Sequence, residues 1–360
     1  MFAEIAGSMY ALHLPETDLR SPILAGPPQE NLPLPRAVPC ALLEARTQFS
    51  RGKVAMKRAD LLSRVANEFP FVFREIATLS IRGYLPPIHK HWWFRSVVSG
   101  LFGEAGFPMR YSRYRLHIPR ELHSVYLGYF DMWDHEPLIS KTFTRLLKKG
   151  DVVLDVGANV GYFTLLAADA VGPKGLVHAV ECSPATAAIL ENNVRSNGLE
   201  NVQIHQVAAA AERGTLNLNV TAIGLSWLIP HANWPTPTQE RGTTLSVPAV
   251  PLDEIIQSPV HVVKIDAEGV DLEVLKGMKR ILSENEGISV IVEWAPPLLA
   301  EAGKDPLELP RWLQEAGFRN ITVLDEQRER PSTLEESLKM VREGKVPRDW
   351  VGDLLAQRAP

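Results

Sequence analysis

From residue 151 onward, short apolar runs alternate with stretches of helical periodicity. Residues 152–156 (Val-Val-Leu-Asp-Val) predict a buried strand. Residues 160–171 are apolar nearly all round and stop at Gly172-Pro173, which predicts a buried helix. A second strand is expected at 176–180. After it, Ser183-Pro184 supplies an N-cap and a first-turn proline for a helix with Ala187, Leu190 and Val194 on one face, ended by Asn197-Gly198. Further strands are expected at 202–207, 215–220, 245–250, 260–265, 288–292 and 321–324. Val270, Val274, Met278 and Ile281 predict one helical face, and 307–316 predicts another helix. Strands alternating with helices mean βαβ units: an α/β, Rossmann-like, mostly parallel sheet with helices on both faces.

The N-terminal third reads differently. Residues 1–50 hold 7 of the 28 prolines and predict an extended or partly disordered leader. Residues 51–124 carry Leu61, Leu62, Val65, Phe69 and Val72 at helical spacing, and interleave bases with aromatics in His89–Arg95 and Arg110–Arg115. This segment is expected to be a basic, aromatic, partly helical region that caps the main domain. The catalytic domain is expected at 125–325, with an irregular proline-rich insertion around 229–244 and a helical C-terminal tail at 326–360. Charge follows the same division. The net −4 averages a +9 stretch at 51–120 and a −10 stretch at 121–324. With 45% hydrophobic and 22% charged residues the chain is globular. Two cysteines, Cys40 and Cys182, build no disulfide framework, and no apolar run reaches 18 residues. A cytoplasmic protein without a transmembrane segment is expected, and no nucleic-acid partner is expected because no recognisable binding motif accompanies the basic stretch.

Open α/β sheets bind ligands beyond the carboxyl ends of their strands. After the first strand stands Asp155-Val156-Gly157-Ala158-Asn159-Val160-Gly161, a glycine turn opening a helix. After the second stands Glu181, an acid placed to accept ribose hydroxyls. Asn159 occupies the place of the second glycine of a dinucleotide fingerprint, and Asp155 would repel a pyrophosphate. Both features suit a ligand with an ammonium group, such as S-adenosylmethionine. Later, Lys264 and Asp266 share one strand face, Glu268 follows, and Glu293 ends the next strand. These four are the candidate catalytic residues. Asp266 or Glu268 would act as base or hydroxyl orienter, and Lys264 would lower an acceptor hydroxyl's pKa. Alternatively Lys264 pairs with Asp266 or Glu293 and holds two strand ends together. No histidine joins the carboxylates and no metal ligand is assigned, although an oxygen-only cation site stays open. Tyr129, Trp133 and Glu136 are candidates to close over the cofactor or acceptor, or else pack, and Gly224–Trp227 is a candidate part of an acceptor wall.

The glycine turn, Glu181, Val250-Pro251-Leu252-Asp253-Glu254 and the run from Val263 to Gly277 with its Lys-Ile-Asp-Ala-Glu-Gly core together resemble the FkbM family of S-adenosylmethionine-dependent methyltransferases. The resemblance covers residues 125–325. It implies a class I methyltransferase sheet with S-adenosyl-L-methionine as cofactor. It places Asp155, Gly157, Asn159 and Gly161 around the methionine end, Glu181 at the ribose, and Ala208 with Ala209 beside the adenine. It also implies transfer to a hydroxyl oxygen of a small molecule, sugar or lipid-linked glycan. Cys182, in place of a proline, and Asp271, in place of a glutamate, depart from the family pattern. A nicotinamide-dependent oxidoreductase and a non-catalytic protein that kept the fold are the alternatives.

Overall fold

The computed structural model describes residues 106–119, 122, 135–220, 226–227 and 243–358. The 1–50 leader, most of the 51–124 region, Tyr129, Trp133, Gly224, Leu225 and nearly all of the 229–244 insertion lie outside these residues.

The elements run β1 (Phe107–Met109), β2 (Ser112–Leu116), α1 (Pro137–Leu146), β3 (Val152–Val156), α2 (Tyr162–Val171), β4 (Leu176–Val180), α3 (Pro184–Ser196), β5 (Val202–His205), β6 (Ala208–Ala209), β7 (Gly214–Val220), β8 (Ser226–Trp227) and β9 (Thr243–Val250). There follow α4 (Leu252–Ile255), β10 (Val262–Ile265), α5 (Asp271–Lys276), α6 (Lys279–Glu284), β11 (Ser289–Trp294), α7 (Pro296–Glu301), α8 (Glu308–Glu315), β12 (Asn320–Asp325), β13 (Arg330–Thr333), α9 (Leu334–Arg342) and β14 (Gly352–Gln357). The main sheet has the order β13-β12-β14-β11-β10-β3-β4-β5. Strands β11, β10, β3, β4 and β5 pair in parallel, as the continuous apolar runs predict. A smaller sheet, β6-β9-β7-β8, carries the strands on either side of the insertion.

Strand β10 is buried at all four positions, which is natural for Val262, Val263 and Ile265 and costly for Lys264. Helix α2 buries eight of its ten residues because both of its sides are covered. The sheet lies on one side, and on the other a β1–β2 hairpin is anchored by Ser112 Oγ and Arg113 N donating to Asp169 Oδ2 at 3.0 and 2.7 Å. The helical spacing of Leu61–Val72 lies outside the described residues, and in its described part the 51–124 region forms this hairpin. Phe107, Met109 and Leu116, all fully buried, fix it in place.

The C-terminal segment differs more. Residues 326–360 hold one helix, α9, opened by a reciprocal Thr333–Glu336 capping box. They also supply β14, which inserts antiparallel between β11 and β12. The tail is thus part of the sheet and not a helical appendage. Trp350, 1% exposed, locks it by donating to Asp325 Oδ2 at 3.1 Å and stacking edge-on against Trp294. Among the described residues no helix is long and apolar enough to cross a membrane.

Candidate active site

Strand order reverses between β3 and β10, where one half of the sheet runs β3-β4-β5 and the other β10-β11-β14. The crevice beyond their carboxyl ends is the ligand position this topology creates. The glycine turn stands there. Gly157 has φ +77°, and a Cβ on it would lie 1.8 Å from the Asp266 carbonyl oxygen. The turn after β3 and the loop after β10 therefore touch through a position only glycine can fill. Gly157 N and Ala158 N both donate to Val180 O, at 2.9 and 3.0 Å. Asn159 has φ +51°, and its amide donates to Glu181 Oε2 at 2.9 Å. Gly161 is the N-cap of α2.

Two buried carboxylates hold this half. Glu181 Oε1 accepts from Ser183 N at 2.7 Å, so its two oxygens tie the turn to the start of α3. Burial pushes the Glu181 carboxyl up to about 7, against the pull of those amide donors. Asp155 Oδ2 accepts from Thr164 Oγ1 at 2.6 Å, and burial raises it to about 6. Ala208 sits at the start of the small sheet in a cluster on which Cys182 packs. Burial raises the Cys182 thiol to about 12, so it is a filler and not a nucleophile.

The second half centres on Lys264, 1% exposed. Its ammonium lies 3.3 Å from Asp266 Oδ2, 3.9 Å from Asp353 Oδ1 and 4.6 Å from the centre of the Phe163 ring. Burial opposes the charge, but Asp266, Asp353, Glu136 and Asp155 outweigh it and raise the pKa. Of the two expected partners, Asp266 is an ion-pair partner and Glu293 is not. The second carboxylate, Asp353, comes from β14. The loop after Asp266 turns through two left-handed residues, Glu268 at φ +52° and Gly269 at φ +87°. Asp271 fixes that turn by accepting from Ala267 N and Gly269 N at 2.8 and 3.1 Å. Its carboxylate is thus structural, and a shorter acid serves.

Glu268 and Glu293 line a cleft of about 340 Å³ together with Val270, Leu298, Leu299 and Lys304. Burial, with Asp266 and Asp271 nearby, raises Glu268 to about 8, and burial raises Glu293 well above the usual range. Lys304 Nζ is engaged by Gly269 O at 3.0 Å. Glu136, which precedes α1, also has positive φ, 43°, and one of its carboxylate oxygens is buried without a hydrogen-bond partner. Asp253 stands elsewhere. It caps α6, accepting from Arg280 N and Ile281 N at 2.7 and 2.9 Å. Among the described residues no three acidic, histidine or cysteine side chains converge as metal ligands.

A parallel sheet with its last strand inserted antiparallel, and a glycine turn answered by an acid on the next strand, is the Rossmann-like architecture of class I methyltransferases. Comparison with known proteins specifies it further: residues 155–320 match the family model of the methyltransferase FkbM domain. The chain is similar to the hexuronic acid methyltransferase AglP of Haloferax volcanii, 29% identical over 174 residues, covering 47% of this chain and 64% of AglP. It is 40% identical to protein-L-isoaspartate O-methyltransferase 1 of Archaeoglobus fulgidus over 58 residues, 16% of this chain and 27% of that one. It thus spans less than two-thirds of each of these relatives. A crystal structure of methyltransferase FkbM from Methylobacillus flagellatus superposes with a TM-score of 0.37 at 17% identity, covering 59% of this chain and 44% of that one.

Proposed function

We propose that the protein transfers a methyl group from S-adenosylmethionine to an acceptor oxygen, a hydroxyl of a small molecule, sugar or lipid-linked glycan. The observation that carries this reading is the Gly157–Gly161 turn, held by buried Glu181 at the switch point of an FkbM domain. The residues fit the cofactor. Each Glu181 oxygen accepts one amide and retains a lone pair for a ribose hydroxyl. The surrounding excess of carboxylates suits a ligand carrying ammonium and sulfonium charges. Gly157, Asn159 and Gly161 would line its methionine end, with Asp155 holding the turn through Thr164, and Ala208 would border the adenine.

Bound S-adenosylmethionine supplies an electrophilic methyl for in-line displacement. The chain supplies alignment and a proton acceptor. Asp266 is the base in this reading, because its side chain is 32% exposed while its partner Lys264 is closed off from solvent. Glu268 and Glu293, with raised pKa values, donate hydrogen bonds to neighbouring acceptor oxygens. A sugar-type acceptor is in keeping with the hexuronic acid methyltransferase among the relatives.

Calorimetric titration with S-adenosylhomocysteine tests the cofactor, and absence of binding at millimolar ligand sinks the reading. Incubation of cell extract with methyl-labelled S-adenosylmethionine identifies the acceptor. Asp266→Asn should lower label transfer by roughly 100-fold or more, the scale of a lost general base, and spare binding. Undiminished transfer would remove Asp266 from that role.

A further inference from the structure

Strands β10 and β14 are not neighbours, since β11 lies between them. At ~4.8 Å per strand step their backbones run about 10 Å apart. Yet Lys264 Nζ comes within 3.9 Å of Asp353 Oδ1. The register explains how. Asp155 pairs with Lys264, Lys264 with Ile291, and Glu293 with Asp353, so Asp155, Lys264, Glu293 and Asp353 all project from one face of the sheet. The lysine stem crosses β11 along that face, towards β14, under the Phe163 ring.

Asp353 is 5% exposed, and the oxygen that faces Lys264 has no hydrogen-bond partner. A carboxylate buried without donors is expensive, and the ammonium of Lys264 is the cation within reach that offsets the cost. The same ammonium touches Asp266 at 3.3 Å. Lys264 is therefore held between a buried carboxylate and a partly exposed one.

We propose that Asp353 is a positioning residue of the methyl-transfer site. It draws Lys264 sideways across β11, so that the ammonium supports Asp266 from behind without entering the acceptor cleft or closing over the Asp266 carboxylate. This role rests on the methyltransferase reading. Asp266, at 3.3 Å, is already the nearer carboxylate; without the sideways pull of Asp353, Lys264 would close further onto it and cover the oxygen that takes the proton. The C-terminal strand thus belongs to the site as well as to the sheet.

Two measurements test it. In protein labelled with 15N-lysine, the Lys264 ammonium is assigned through its contacts with the Phe163 ring protons. D353N, which is isosteric, should shift that resonance or lose it to solvent exchange. In parallel, initial rates of tritiated-methyl transfer from S-adenosylmethionine to a fixed polar extract are compared for wild type, D353N, K264M and the double variant, with S-adenosylhomocysteine affinity measured for each. D353N should transfer tenfold or more slowly with affinity within about twofold of wild type, and adding it to K264M should cost nothing further. An unchanged ammonium resonance, a D353N rate within twofold of wild type, or losses that multiply in the double variant would overturn the proposal. The ammonium readout needs only folded D353N. If wild type bound no S-adenosylhomocysteine, the methyltransferase reading would fall and the catalytic role of Asp353 with it, while the resonance would still decide the pairing.

Discussion

On the β3–β4 side of the switch point, both buried carboxylates are matched to donors: Asp155 to the Thr164 hydroxyl, Glu181 to two backbone amides. On the β10–β11–β14 side the balance is different. Glu268 and Glu293 face a cleft, and one oxygen each of Asp353 and Glu136 is buried with no hydrogen-bond partner. The first half has its carboxylates paired without a ligand, which fits the cofactor-binding role proposed for it. The second half keeps polar groups in reserve, at an electrostatic cost visible in the raised pKa values of Glu268, Glu293 and Asp353. A preorganised pocket suits a cofactor that never changes. A crowded acidic cleft can be completed by the hydroxyls of one particular acceptor.

The sharpest way to break this contrast is at the seam between the halves. Gly157→Ala puts a side chain at φ +77°, 1.8 Å from the Asp266 carbonyl, so the two loops must part. A loss of about 3 kcal/mol in stability is expected from the strain and the clash together. S-adenosylhomocysteine binding should disappear in the same variant. Calorimetric melting and titration read both, and retained binding would mean that the halves are not rigidly joined.

A smaller effect sharpens the first half alone. In the proposed role the ionised form of Glu181 would accept two ribose hydroxyls, and burial raises its carboxyl to about 7. A raised carboxyl pKa means that below it the proton must be expelled before binding. Affinity for S-adenosylhomocysteine should therefore rise about tenfold from pH 6 to pH 8 and then level off. Glu181→Gln should bind more weakly and flatten that profile. A profile that kept its slope in the variant would assign the titration to another group.

The first half was also the more legible in sequence. Its strands run into glycine or acid, its helix starts and stops carry Ser183-Pro184 and Asn197-Gly198, and the hydrogen bonds of Asp155 and Glu181 lie within 30 residues of chain. Lys264, Asp266, Glu268 and Glu293 could be picked out, with Asp266 as a partner of Lys264, but its second partner, Asp353, could not. Gly352-Asp353-Leu354-Leu355-Ala356-Gln357 has neither β-branched residues nor alternation, and becomes a strand only because β11 and β12 leave a slot between them. The face Val270, Val274, Met278 and Ile281 reads as one helix, yet the chain breaks into α5 and α6 at Gly277. A Cβ there would lie 1.9 Å from Ala210 O, a close approach between distant segments that no local pattern records.

Asp253 gives the mildest test and separates motif from site. It lies in the stretch that resembles the family, yet its carboxylate faces the start of α6, where it accepts from Arg280 N and Ile281 N. Met278, the N-cap residue of α6, offers no side-chain acceptor, so Asp253 satisfies donors that would otherwise be orphaned. Asp253→Ala should cost about 1–2 kcal/mol of stability, the range for a lost cap. Affinity for S-adenosylhomocysteine should stay within error, because neither half of the site loses a contact. If binding fell while the melting temperature held, Asp253 would have to reach the crevice, and the division between a scaffold residue and the two halves would need redrawing.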